Sequence, residues 1–201
     1  MGIETRWTPI FEPEWREWYV VAPESGDLLV VPSESESFFS SESADGVGLS
    51  APTRRDSLDV MFTRKDEVPR PAVAEPRLAW MLRWLIWKAL QALPPLIGLG
   101  ATVRLVERAA ARKTTRESLE VVFARVKAVE GVQHAPLCLP RALARFGYGL
   151  RAGHRLELVV GVFVPTRRTH AWVTLDGCNV GEEPDEVVLY QPTCLFRTRL
   201  K

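Results

Sequence analysis

The hydrophobic pattern changes period several times along the chain. From Trp18 to Phe39, WYVVAPESGDLLVVPSESESFF alternates short β-prone runs with turn chemistry. Glu24-Ser25-Gly26-Asp27 is the expected turn of a small β-ribbon joining Tyr19–Val21 to Leu28–Val31. Residues 40–57 are rich in Ser, Gly and Pro and read as a loop, and Pro69, Pro71 and Pro76 mark an extended linker. These signals divide the chain into residues 1–76 and 77–201.

Helical spacing follows. Trp80, Trp84 and Trp87 recur at i, i+4 and i+7, which predicts one indole-bearing core face on a helix from about Arg77 to Leu93. A second helix is expected over 101–113, and a third starting at Thr115 and stopping at Gly131. A fourth begins at Cys138, with Pro140 in its first turn and Gly147 and Gly149 beyond its end. The pattern then turns β-rich over 156–164, 169–175 and 186–191, with Asp176-Gly177 as a turn. Together these elements predict an α+β fold.

Charge sharpens the division. Residues 1–76 hold 7 Lys/Arg against 15 Asp/Glu, and the remainder holds 19 against 10, although the whole chain is only +1. No global field of the kind that binds nucleic acid results. The stretch Leu78–Leu93 is interrupted by Arg83 and Lys88, so it falls short of the roughly 20 apolar residues of a membrane span. Three cysteines, Cys138, Cys178 and Cys194, without CxxC spacing, predict a reduced, cytoplasmic setting.

Cys138 is the first candidate for chemistry. A helix N-terminus offers partial positive charge and free N–H groups where a thiolate, and later an oxyanion, would form. A cysteine alone is more often a small buried hydrophobe. His170 alters that balance, because the order helix-Cys, strand, strand-His and acid-bearing hairpin is what a Cys-His-acid triad needs. In the strand, His170, Trp172 and Thr174 share one face.

The acid depends on the hairpin. A three-residue loop Leu175-Asp176-Gly177 sets Glu182 opposite His170, whereas a two-residue loop Asp176-Gly177 sets Glu183 there and turns Glu182 to the other face. Asp176 itself is a turn residue, roughly 20 Å along the strand from His170. Other constellations rank lower. His134-x3-Cys138 is the only close pair for a zinc site, so no metal or cofactor is expected; Gln133 is a possible oxyanion donor; and Arg141, Arg145, Arg151, His154 and Arg155 read as a solvated basic face.

The run CLPRALARFGYGLRAGHRLELVVGVFVPTRRTHAWVTLDGCNVGEE resembles the C-terminal domain of lasso-peptide B proteins, the leader peptidases. That family shows a Cys-Leu helix start, a Leu-x-x-Gly-Val strand and His-Ala-Trp-Val before an Asp-Gly turn, and the likeness spans about residues 78–196. It implies a papain/transglutaminase-like cysteine peptidase with Cys138, His170 and, twelve residues on, Glu182. The chain departs from the pattern at Thr174, where an acid is common, and in having Glu rather than Asp at 182.

Residues 18–39 resemble, more distantly, the winged-helix leader-recognition module fused to some of these enzymes, which implies peptide binding along Leu28, Leu29, Val30 and Val31. The implied partners are the leader segment of a precursor peptide and an ATP-using macrocyclase. Another acyl-transfer activity on the same triad, such as an amidase or transglutaminase, and a silent precursor-binding protein are the alternatives.

Overall fold

In the computed structural model, residues 2–35, 77–111, 116–130, 137–182 and 184–198 are described. The chain forms β1 (Ile3–Trp7), β2 (Ile10–Glu12), β3 (Glu17–Val21), β4 (Leu28–Pro32), α1 (Arg77–Ile97), α2 (Leu99–Ala110), α3 (Leu119–Glu130) and α4 (Cys138–Arg151). There follow β5 (Leu156–Phe163), β6 (Arg168–Leu175), β7 (Cys178–Val180), the single turn α5 (Pro184–Val187) and β8 (Gln191–Thr198). The fold is α+β, as the pattern predicts.

A five-stranded antiparallel sheet has the order β1-β8-β5-β6-β7, and β2-β3-β4 form a second, three-stranded one. Alternation assigns the two faces of the larger sheet. Leu156, Leu158, Val160, Ala171, Val173, Cys194 and Phe196 build the main core with Trp87, Val103, Val126, Leu143 and Phe146 from α1 to α4. On the other face Val159, Trp172 and Leu195 pack with Val187. Trp80 and Trp84 lie against the main core beside buried Trp87, so the indole stripe is packing.

The N-terminal strands are fastened to this body at several places. β1 pairs with β8, from Ile3↔Thr198 to Trp7↔Cys194. Tyr19 packs on Val162 and Val164 of the β5 end. The β3–β4 loop supplies the carbonyls of Ser25 and Glu24 to the N–H groups of Leu99 (3.3 Å) and Gly100 (3.2 Å), the otherwise orphaned donors at the start of α2. Gly98 makes this approach possible: its φ is +83°, and a Cβ there would stand 2.3 Å from the Glu24 carbonyl oxygen. The boundary expected near residue 76 lies outside the described residues.

Several expected element ends differ. α1 continues through Pro94-Pro95 to Ile97, with the prolines confined to its final turns. α2 covers Leu99–Ala110 rather than 101–113, and α3 starts at Leu119 rather than Thr115; Gly131 is outside the described residues. α4 runs past Gly147 and Gly149 to Arg151 because these glycines admit neighbours. A Cβ at 147 would be 2.7 Å from a Val106 methyl, and one at 149 would be 2.2 Å from Leu156 Cδ1. The left-handed stop is Gly153, φ +88°. The strand expected over 186–191 is absent: α5 buries Val187, leaves Val188 and Leu189 exposed, and β8 begins only at Gln191.

Candidate active site

Cys138 is the first residue of α4. Leu137 precedes it in an extended conformation and offers no side-chain cap, and Pro140 has no N–H to satisfy. The amides of Cys138 and Leu139 therefore stand at the positive end of the helix dipole beside a half-buried thiol. The other cysteines differ. Cys194 is fully buried in β8 between Trp7 and Val160, and burial pushes its thiol up to about 12. Cys178 begins β7 opposite Leu175.

Helix and strand geometry relate Cys138 to His170. Gly149 of α4 rests on Leu156, which pairs with Leu175 of β6. From that shared point Cys138 lies eleven residues back along the helix and His170 five back along the strand, each about 16 Å at the standard rises. The direction is common to both, since Arg141 and Arg145 meet Glu182, which follows the β7 strand running antiparallel to β6. The cysteine thus leads the helix covering one face of β6, at the end of the strand where His170 stands.

His170 itself lies on the Trp172 face, as alternation predicts. Its ring stacks on the Trp172 indole at 6.0 Å and 19°, and Tyr190 closes on it at 5.0 Å. Directly opposite is Gly161, where a Cβ would meet Trp172 Cη2 and the Gln191 carbonyl oxygen, both at 2.8 Å. The glycine lets the fully buried indole lie across the strand pair and form the floor for the imidazole. β7 pairs only with Val173–Leu175, so among the described residues β6 has an open edge beside His170.

The family comparison bears on this arrangement. A family model described as Transglutaminase-like superfamily matches residues 79–194, more than half of the chain. The protein belongs to the transglutaminase-like superfamily. Its members are usually cysteine-based enzymes, and the matched segment contains Cys138, His170 and Glu182. No curated protein and no solved structure matches the chain.

Within this transglutaminase-like domain the acid-bearing hairpin takes the two-residue form. Val173 pairs with Val180, Thr174 with Asn179 and Leu175 with Cys178, and both Asp176 (φ +52°) and Gly177 (φ +78°) are left-handed. That is the type I′ geometry, whose twist suits a tight hairpin, and aspartate tolerates it. The expectation of a three-residue loop with Glu182 facing His170 is corrected accordingly. Glu183, which the shorter loop sets opposite His170, lies outside the described residues, as do Gln133 and His134.

Glu182 turns toward α4. It is 3 % exposed, and its carboxylate accepts from Arg141 Nη1 at 3.0 and 3.3 Å and from Arg145 Nη1. Its carbonyl accepts from Asn179 Nδ2 at 3.0 Å. Arg145 is itself buried and lies over Phe123 at 5.3 Å. These arginines are therefore not the solvated face that their spacing suggested, and His154 is turned inward as well, its Nε2 2.7 Å from the Glu117 carbonyl oxygen. Sequence reasoning also missed Tyr190, hidden in a run read as a strand, and Gly161, whose one signal was a glycine inside a strand pattern.

The β3–β4 ribbon packs through Tyr19, Leu28 and Val30 on Val162 and Val164, at the β5 end that pairs beside His170; β4 pairs with β3 alone among the described residues, leaving its outer edge available. Leu28 and Val30 pack inward with Tyr19, while Leu29 is exposed. No helix among the described residues is long and apolar enough to cross a membrane.

Proposed function

We propose that this protein is a cysteine peptidase that removes the leader from a ribosomally synthesised precursor peptide, after the fashion of the lasso-peptide leader peptidases. The observation that carries this reading is the helix N-terminus beginning on Cys138, where Leu137 offers no side-chain cap, at the end of β6 where His170 stands. α4 covers one face of β6 and His170 stands on the other with Trp172, so the scheme requires thiol and imidazole to meet around the open edge of β6. His170 takes the thiol proton, and the Cys138 sulfur attacks the scissile carbonyl. The tetrahedral oxyanion accepts from the Cys138 N–H at the positive helix end. His170 returns the proton to the leaving amine, and water, deprotonated by His170, hydrolyses the thioester.

Glu182 serves the pair from a distance. Held by Arg141 and Arg145, it anchors the chain that carries Val187 and Tyr190 against Trp172 and His170. The β4 edge at Leu28–Val31 receives the leader as an added strand, and residues 1–76 act as its recognition module. This reading brings with it a macrocyclase partner and a cytoplasmic setting, with which three free thiols accord. No cofactor enters the scheme.

The test is precursor incubated with wild type and with Cys138→Ala, followed by mass spectrometry. Leader and core fragments are expected from the wild type, and none from the variant, whose circular dichroism stays native because little buried volume is lost. Cleavage by Cys138→Ala at a near wild-type rate rejects the peptidase assignment. An amine-adducted acyl product in place of the free acid identifies a transferase.

A further inference from the structure

α1 carries apolar residues on two sides. Trp87, Leu90 and Pro94 are buried, and Trp80 and Trp84 lie against the main core. On the other side Leu78, Leu82, Leu85, Ala89, Ala92 and Leu96 follow one another at alternating steps of four and three residues, and all of them are exposed. This is the spacing of a seam along which one helix packs on another. Met81 flanks the seam and is exposed as well. Lys88 is turned aside, over the Trp84 ring at 5.7 Å and donating to Gln91 Oε1 at 3.3 Å.

The seam is large for a surface feature. Leu78, Met81, Leu82, Leu85 and Leu96 are each between 54 % and 76 % exposed. At roughly 200 Å² for an open aliphatic residue, they present about 600 Å², the upper end of the range for the largest apolar patch on ordinary monomers. Two such seams laid together remove about 1,000 Å² or more from water, which reaches the size of a specific interface.

The order of residues along the seam makes it complementary to itself. Bulky Leu82 and Leu85 precede small Ala89 and Ala92. A two-fold axis at the level of residue 87 runs the helices antiparallel, and it sets Leu82 on Ala92 of the second copy, Leu85 on Ala89 of the second copy and Leu78 beside Leu96 of the second copy. Large thus meets small on both sides of the axis, and the overlap extends over about 27 Å. A membrane surface fits the helix less well, because tryptophans at a lipid interface turn outward to the headgroups, whereas Trp80, Trp84 and Trp87 all turn to the core. We infer that α1 is a dimerisation helix, pairing antiparallel with α1 of a second copy along the seam from Leu78 to Leu96. This interface stands independently of the peptidase reading.

The test is sedimentation velocity of the full chain over a concentration series, with circular dichroism confirming that each variant is folded. Wild type is expected to pass from monomer to dimer in the micromolar range. Leu82→Glu and Ala92→Lys should each weaken the dimer at least tenfold, since each sets a charge against an apolar residue of the second copy. Combined, they should recover at least fivefold over Leu82→Glu, because the antiparallel register brings Glu to Lys twice across the axis, whereas within one copy the two positions are about 15 Å apart along the helix. Val188→Glu, at a residue as exposed as Leu85 but in the turn before β8, should leave the dimer unchanged. A chain that stays monomeric at every concentration overturns the pairing, as does a double variant weaker than both single ones. Flotation of a monomeric wild type with vesicles of equal parts phosphatidylcholine and phosphatidylglycerol, abolished by Leu82→Glu, also overturns it and assigns the seam to a membrane surface.

Discussion

Glu182→Gln separates an anchoring carboxylate from one that orients the imidazole. Glu182 is 3 % exposed and Arg145 6 %, so neutralising the acid removes a buried counter-charge from that guanidinium. Breaking a buried ion pair in this way costs about 3–5 kcal/mol. Glutamine keeps one carbonyl acceptor and Arg141 can reach some water, so the expected loss is near the lower bound, about 3 kcal/mol. Set against a typical stability of about 5–15 kcal/mol, that is a large fraction. At about 2–4 °C per kcal/mol for a chain of this size, the melting temperature should fall by roughly 6–12 °C.

Calorimetry on Glu182→Gln, Arg145→Met and the double variant is the assay, with single-turnover cleavage measured well below the lowered melting temperature. The double variant should be more stable than Glu182→Gln alone, because it removes the stranded charge as well as its partner. Under an anchoring role the cleavage rate declines modestly. A melting temperature within about 1 °C of wild type, with a rate lowered by about 10⁴, would refute the reasoning and return Glu182 to the imidazole, since losing a triad acid leaves the geometry intact but costs about that factor.

Three other outcomes follow from packing and burial. Gly161→Ala places a Cβ 2.8 Å from Trp172 and from the Gln191 carbonyl oxygen; overpacking should cost about 1–3 kcal/mol, and cleavage should fall more than denaturant midpoints do, because the indole under His170 has to shift. Gly98→Ala combines a positive φ with a 2.3 Å clash against the Glu24 carbonyl oxygen, so urea unfolding should show a loss of about 2 kcal/mol or more, with faster amide exchange at Leu99 and Gly100; a neutral Gly98→Ala would mean that the ribbon loop does not cap α2. Iodoacetamide at pH 8 should label Cys138 and Cys178 in the native protein but not Cys194, whose folded thiol stays protonated up to about 12, and His170→Ala should slow labelling at Cys138 while leaving Cys178 unchanged.

How far the sequence could be read depended on whether each feature was settled locally. Cys138 at a helix start, the β3–β4 hairpin and the strand carrying His170 were all legible, because Pro140, Gly26 and strict alternation act within a few residues. The β6–β7 loop was not, because aspartate and glycine both accept the left-handed region and so permit either loop length. That single residue of register moved Glu182 from the imidazole to the α4 arginines. Gly147 and Gly149 misled in a related way: a glycine marks a helix end when φ turns positive, as at Gly153, but marks close packing when a neighbour such as Leu156 fills the space of its missing side chain, and only the neighbour tells the two apart. The same holds over longer range. In β1, Ile3, Thr5 and Trp7 alternate properly, yet their partners Thr198, Phe196 and Cys194 lie at the opposite end of the chain, and nothing in the period of either segment names the other. Strand pairing thus joins residues from either side of the composition break near residue 76 in one sheet.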